Sequence, residues 1–217
     1  MTTAVEVADV SAPAELAAPV LTVIRLDPDH REVRADRRDL CRMHGRVLSM
    51  LGDDHAAPGR YLWASPTPGR LLVQYHRPVD VRWLPDGYTV GHSEHEVRTD
   101  WPAGSAVRWA AVVAPTRSVK AAPDRHVRGR PVALRAPGEI DGWARRRLGM
   151  LDHHEVGICE ERGAAGRKPG GRRVLYPQVR LQGRGTVLDP AGLAAALRGG
   201  VGRGKAFGCG LLLVVPA

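Results

Sequence analysis

Between Gly199 and Gly210 the chain places six glycines, at 199, 200, 202, 204, 208 and 210, around Arg203 and Lys205. Glycine accepts φ > 0 without strain and lets a backbone approach a ligand closely. Successive N–H groups flanked by cations make a concave anion site, so Gly202, Arg203, Gly204 and Lys205 are expected to face phosphate. Gly199 to Lys205 also satisfies G-x-x-x-x-G-K, but Ala206 stands where a hydroxyl should hold magnesium. The order is reversed as well, because an Ala/Leu-rich helix at 190–198 precedes the glycines and an apolar strand at 207–215 follows. That excludes a nucleotide triphosphatase loop. A plain helix-to-strand turn explains one or two glycines, not six with two cations.

A second basic, glycine-rich stretch runs from Glu160 to Arg173 and holds Arg162, Arg167, Lys168, Arg172 and Arg173. Its two readings are a hairpin lying on a structured polyanion and a solvated turn. The net charge of +9, carried mainly by arginine, favours a polyanionic partner, with nucleic acid first. Arginine suits that role because its planar fork donates two parallel hydrogen bonds. A proteome rich in arginine would give the same excess without a partner. No apolar run approaches the ~20 residues that span a bilayer, so no membrane role is expected. Residues 1–19 carry Glu6, Asp9 and Glu15 without a basic leader, which predicts a loose tail rather than a signal peptide. A cytoplasmic protein is expected.

Cys41, Cys159 and Cys209 form no C-x-x-C, so neither a disulfide framework nor a zinc site is indicated. Cys41 and His44 have C-x-x-H spacing without a second ligand pair, and His153-His154 lack a carboxylate-rich cluster. No metal and no cofactor are expected. His44 itself lies four residues after Leu40 and four before Leu48, at the edge of an apolar helical stripe. Histidine there reads as a boundary residue or as a proton-transfer group.

The elements that hold these residues follow from apolar periodicity. Residues 20–26 read as a buried strand. A helix is predicted over 37–51, with Asp36 as its N-cap and Leu40, Met43, Val47, Leu48 and Leu51 as its stripe. Strands at 60–65 and 70–75 flank a turn at Pro66-Thr-Pro-Gly69. A poorly patterned segment follows, then a strand at 107–113. Beyond a basic, proline-containing connection come a strand at 131–134, a helix at 137–148 and paired strands at 154–159 and 174–181. The last helix starts at Asp189-Pro190, with proline at its first position. The fold class is therefore α+β, two tandem ferredoxin-like (RRM-like) βαββαβ units, a layout whose sheet commonly binds RNA. The expected divisions are a tail (1–19), a first unit (20–115), a basic linker (116–130) and a second unit carrying the glycine-rich loop (131–217).

These elements carry motifs in a characteristic order. They begin with Leu21-Thr-x-x-Arg25-Leu26-Asp-Pro28, Arg31-x-x-Arg34, Met43-His44 and Arg46-Val-Leu48. Tyr61-Leu-Trp63, Leu71-Leu-Val-Gln74, Gly129-Arg-Pro-Val-Ala-Leu134 and Trp143-Ala-Arg-Arg-Arg-Leu148 come next. Asp189-Pro190 and Leu197 to Leu212 close the chain. In that order they resemble the CasE family of CRISPR-associated endoribonucleases, over nearly the whole chain after the tail. The resemblance implies metal-independent cleavage of precursor CRISPR RNA within its repeat hairpin. The ribose 2′-hydroxyl attacks the scissile phosphate and leaves a 2′,3′-cyclic phosphate and a 5′-hydroxyl. It also implies a protein that holds the mature guide RNA among the other subunits of a Cascade complex.

His44 matches the family's catalytic histidine by position. The glycine-rich loop and the basic stretch would then grip the hairpin, with holding and cutting done by separate parts of the chain. One departure stands out. Some family members carry a tyrosine three residues before the histidine, where this chain has Cys41, a weak hydrogen-bonding group or a small buried hydrophobe. That departure keeps open a second reading, a non-catalytic module that binds structured RNA.

Overall fold

The computed structural model describes residues 18–52, 61–119, 130–167, 171 and 173–217. Two four-stranded antiparallel sheets make up its frame. The first is built from β1 (Val20–Leu26), β2 (Leu62–Thr67), β3 (Arg70–Tyr75) and β4 (Thr89–Glu96), in the order β2-β3-β1-β4. The second uses β5 (Ala106–Val113), β8 (Leu151–Arg167), β9 (Arg173–Val187) and β10 (Leu212–Pro216), in the order β10-β5-β9-β8. In each sheet the first and third strands of the unit are central, as a βαββαβ fold requires. The second unit is complete, with α3 (Pro137–Arg147) and α4 (Pro190–Gly199) as its crossovers.

The first unit departs from that pattern. Its first crossover holds two helices, α1 (Arg31–Arg38) and α2 (Leu40–Leu51), and its second holds a single 3₁₀ turn, Val81–Trp83. Pro78, Pro85 and Gly87 crowd that second crossover, and proline removes the N–H that a helix needs. Val79, Leu84 and Tyr88 fill the space as a buried plug. β4 is therefore thinly covered, and Val90 is 62% exposed. Its sequence, Thr-Val-Gly-His-Ser-Glu-His-Glu, shows no apolar alternation because it is a polar edge strand.

Three expectations are corrected here. The strand expected at 107–113 in the first unit pairs with β9 and β10 and opens the second sheet; the polar β4 fills its place. The strand at 131–134 appears as β7 (Arg130–Ala133), but it pairs only with β6 (Thr116–Val119), in a two-stranded ribbon across the expected linker. The single helix over 37–51 is two helices broken at Asp39. Asp39, in an extended conformation, caps α2 by accepting from Cys41 N at 2.8 Å. The expected tail lies almost wholly outside the described residues.

Asp36, expected as a cap, is instead the buried hub of an ionic network. Its carboxylate accepts from Arg42 Nε (3.0 Å), Arg46 Nε (2.9 Å) and Tyr88 Oη (3.0 Å). Arg46 also pairs with Glu32 and lies over the Tyr88 ring. Burial, then the Asp36 charge, push the Tyr88 phenol well above its ordinary range. Arg42 and Arg46 flank His44 on α2, so the network sets the roll of that helix.

Hydrophobic residues form three clusters. Ile24, Val33, Met43, Val47, Trp63, Leu71 and Val73 lie between the first sheet and its helices. Val107, Trp109, Ile140, Trp143, Leu181, Leu193, Leu197 and Leu212 do the same in the second unit. The alternate faces of the strands supply the third, where Leu62, Ala64 and Leu72 meet Val112 and Leu211. The two sheets are thus joined through their opposite faces, and buried Gln74 donates to Leu197 O at 2.7 Å across the junction. No described helix is long and apolar enough to cross a membrane.

Asp36, 1% exposed, should be sensitive out of proportion to its size. Removing one member of a buried ionic set leaves the others uncompensated, at about 3–5 kcal/mol. Asp36→Ala is expected to lower the urea midpoint accordingly. Arg42→Ala, at a half-exposed partner, should cost under about 1 kcal/mol.

Candidate active site at the junction of the two units

α2 carries His44 and Cys41 one turn apart on one face, and two segments of the second unit close on that face. The first is the glycine-rich loop. Gly200 (φ 71°) caps the C-terminus of α4, and Gly202, Gly204, Gly208 and Gly210 also adopt positive φ. Gly204 and Gly208, both left-handed, bracket a 3₁₀ turn, Lys205–Phe207. Phe207, the chain's single phenylalanine, is thereby set beside His44, with ring centroids 6.4 Å apart. On another side Tyr61 stacks on His44 at 6.0 Å and 25°.

Several of the glycines are there because nothing larger fits. A Cβ on Gly208 would lie 2.7 Å from the Trp63 ring, and one on Gly200 would lie 2.7 Å from Leu62 Cδ2. One on Gly202 would lie 3.0 Å from Trp143. The loop is therefore pressed onto β2 of the first unit and onto α3 of its own. Gly210 N donates to Val112 O at 2.7 Å, and Val201 N donates to Gly210 O at 2.8 Å. Gln178 Nε2 holds Phe207 O at 2.7 Å. Cys209 is buried beneath, its thiol pushed up to about 12 by desolvation, which makes it inert.

The outer part of the loop differs. The N–H groups of Gly202, Arg203 and Gly204 have no hydrogen-bond partner among the described residues, and Arg203 is exposed. Lys205 runs its aliphatic stem against Gly200 and Gly210. N–H groups without a partner and two cations are the parts of an anion cradle.

The second segment is the β8–β9 hairpin. The basic stretch expected as a loop over 160–173 is largely strand, paired as far as Arg167 opposite Arg173. Backbone hydrogen bonds make the ladder, so a Gly/Ala-rich run can still pair. Near the tip, Gly166 approaches the start of α2 so closely that a Cβ would lie 2.9 Å from Cys41 Sγ and 3.2 Å from Asp39 Oδ1. A bulkier group than Cys41 would compete with the hairpin for that space. Arg162, Arg167 and Arg173 sit on the paired strands. Their side chains, like all of Lys168 and Arg172, lie outside the described residues.

His44 is half-buried, and its Nδ1 is enclosed without a hydrogen-bond partner among the described residues. Desolvation lowers its pKa from the ordinary 6.5, so the ring is a neutral base at pH 7. Among the described residues no three His, Cys, Asp or Glu side chains converge as a metal-holding group. The structure thus joins what the sequence reading kept apart: the glycine-rich loop touches the histidine. Sequence reasoning missed Tyr61, which meets His44 within the first unit, and Phe207, Trp63 and Gly166, whose roles depend on contacts across the two units.

The dense packing at Gly208 gives a direct test. Alanine at Gly104, with φ 82° and open space, should cost only the left-handed strain of about 1–2 kcal/mol. Gly208→Ala adds a clash with Trp63 worth about 1–3 kcal/mol, so its urea midpoint should fall clearly further.

Comparison with known proteins agrees with this geometry. Residues 20–216 match the family described as CRISPR associated protein. The CRISPR-associated endoribonuclease Cse3 of Thermus thermophilus is 31% identical, over 90% of this chain and 99% of that one. A Thermus thermophilus Cse3 structure bound to an RNA representing a pre-cleavage complex superposes with a TM-score of 0.79 at 28% identity, covering 92% of this chain and 100% of that one. A chain of a CRISPR RNA-guided surveillance complex superposes with a TM-score of 0.69 at 25% identity, covering 91% and 100%. The chain belongs to the CRISPR-associated protein family that includes Cse3.

Proposed function

We propose that this chain is an endoribonuclease that cuts precursor CRISPR RNA within its repeat hairpin and keeps the product. The observation that carries the reading is the neutral, half-buried His44, enclosed by Tyr61 and Phe207 beside a glycine-rich loop whose N–H groups at 202–204 have no partner among the described residues. His44 takes the proton of the ribose 2′-hydroxyl. The 2′ oxygen bonds to phosphorus, the bond to the 5′ oxygen breaks, and that oxygen takes up a proton from water and leaves as a hydroxyl. Arg203 and Lys205, with the N–H groups of Gly202 and Gly204, oppose the negative charge of the phosphorane. Arg162, Arg167, Lys168, Arg172 and Arg173 extend the grip along the hairpin. No step calls for a metal. The protein acts in the cytoplasm and retains the guide RNA among other Cascade subunits, a reading supported by its likeness to a chain of the surveillance complex.

Wild-type protein in excess EDTA is expected to shorten labelled repeat RNA. His44→Ala should slow that cleavage by about 10²–10⁴-fold, the usual worth of positioned proton transfer, while the dissociation constant changes little. Cleavage that starts only with added magnesium would contradict the mechanism. Cys41, under Gly166, supplies no phenol and favours the second reading, an RNA-binding module without chemistry. Repeat RNA that is shifted on a gel by wild-type protein but never shortened would establish it.

A further inference from the structure

The outward face of the second sheet carries a set of side chains that the cutting site does not use. Beyond the junction with the first unit it opens into a cleft of about 570 Å³. Strand register sets a row across this face, with Glu155 on β8 opposite Arg184 on β9, Arg184 opposite Arg108 on β5, and Arg108 opposite Val215 on β10. Like charges directly opposite on neighbouring strands destabilise a sheet. One carboxylate cannot neutralise two guanidinium groups, and no ion pair joins Glu155 to either among the described residues. The Arg184 side chain has no hydrogen-bond partner among them, and the Arg108 side chain gives only Nε to Pro216 O at 3.3 Å. At the inner end of the same strand face, Arg180 keeps a buried Nε without a partner.

The geometry points to a subsite for single-stranded RNA contiguous with the hairpin, sized for about one nucleotide. Side chains directly opposite on paired strands have Cβ atoms about 5 Å apart, so Arg108 and Arg184 can share one phosphate through their planar forks. Beside them Leu213 and the half-exposed Val215 form an apolar strip for the face of a base. Exposed Gln182 offers both a donor and an acceptor to its edge. A volume near 570 Å³ lies in the range of small-ligand clefts and is too small for a duplex. Unpaired bases are what such sheets read. The charge on these strands selects RNA over an acidic protein, since the apolar strip and the amide also match a nucleotide. This inference rests on the endoribonuclease reading and names a further part of the same substrate.

The test compares the bare repeat hairpin with hairpins extended by five unpaired nucleotides on the 5′ or 3′ side, all against full-length protein by fluorescence anisotropy. His44→Ala protein is used so that cutting is slow on the time scale of the measurement. The extension on one side is expected to tighten binding about 10-fold, with R108Q/R184Q erasing that gain. The same double change should flatten the salt slope for the extended RNA by about 0.7, the loss of one phosphate contact on a single strand. A 4-thiouridine placed in the extension should cross-link to peptides of β5 and β9 in protein unchanged at both arginines, a readout independent of how the variant folds. Extended and bare RNA binding equally to the parent protein, or losing affinity equally in R108Q/R184Q, would overturn the subsite. A bare hairpin that fails to bind at all would instead contradict the endoribonuclease reading.

Discussion

The rest of the site depends on a contact that admits no side chain. Gly208 and Gly200 lie against Trp63 and Leu62 so tightly that a Cβ on either would intrude to 2.7 Å. Trp63 is a core residue of the first unit, while the glycines end the last crossover of the second. One contact therefore does two jobs. It joins the units at a defined place, and it fixes the turn that delivers Phe207 to His44. Positive φ at Gly204 and Gly208 makes that turn tight enough to set its aromatic ring beside His44. Glycine is needed here for close approach as much as for phosphate.

The first unit meets this demand with an ionic lock. Buried Asp36 takes hydrogen bonds from Arg42, Arg46 and Tyr88, which ties both helices to the residue that leads into β4. His44 lies between the two arginines on α2. A helix whose roll is set by three directional bonds can present a ring without a hydrogen bond on Nδ1, because Tyr61 and Phe207 supply the lateral walls. Those walls exclude water, and the exclusion lowers the imidazole pKa. Packing across two units is thus converted into a proton acceptor that is ready at neutral pH.

Much of the frame was legible in the sequence. Short apolar runs located β1 and β3, Asp189-Pro190 marked the start of α4, and the order of elements identified a duplicated βαββαβ fold. The failures have physical causes. β4 is a polar edge strand over a crossover without a helix, so it has no alternation to detect. The break at Asp39 was hidden because Asp36 and Asp39 are both plausible caps. Only burial separates the hub from the cap. The extended β8–β9 ladder was hidden by glycines and alanines, which carry no strand signal although their backbones pair. His44 was legible through its family position. Its neighbours Tyr61 and Phe207 were not, since no local pattern reports that the residue before β2, or a glycine-framed turn of the other unit, lies beside a ring on α2.

The central claim is that the glycine-framed turn of the second unit tunes the histidine of the first. An NMR titration of the His44 imidazole in the full chain tests it most directly, with and without Phe207→Ala. A group whose pKa is depressed by burial stays neutral further into acid and recovers its ordinary value when water is admitted. The wild-type ring should titrate below 6.5, and Phe207→Ala should move its midpoint upward. A His44 that titrates at or above 6.5 in both proteins would contradict the account.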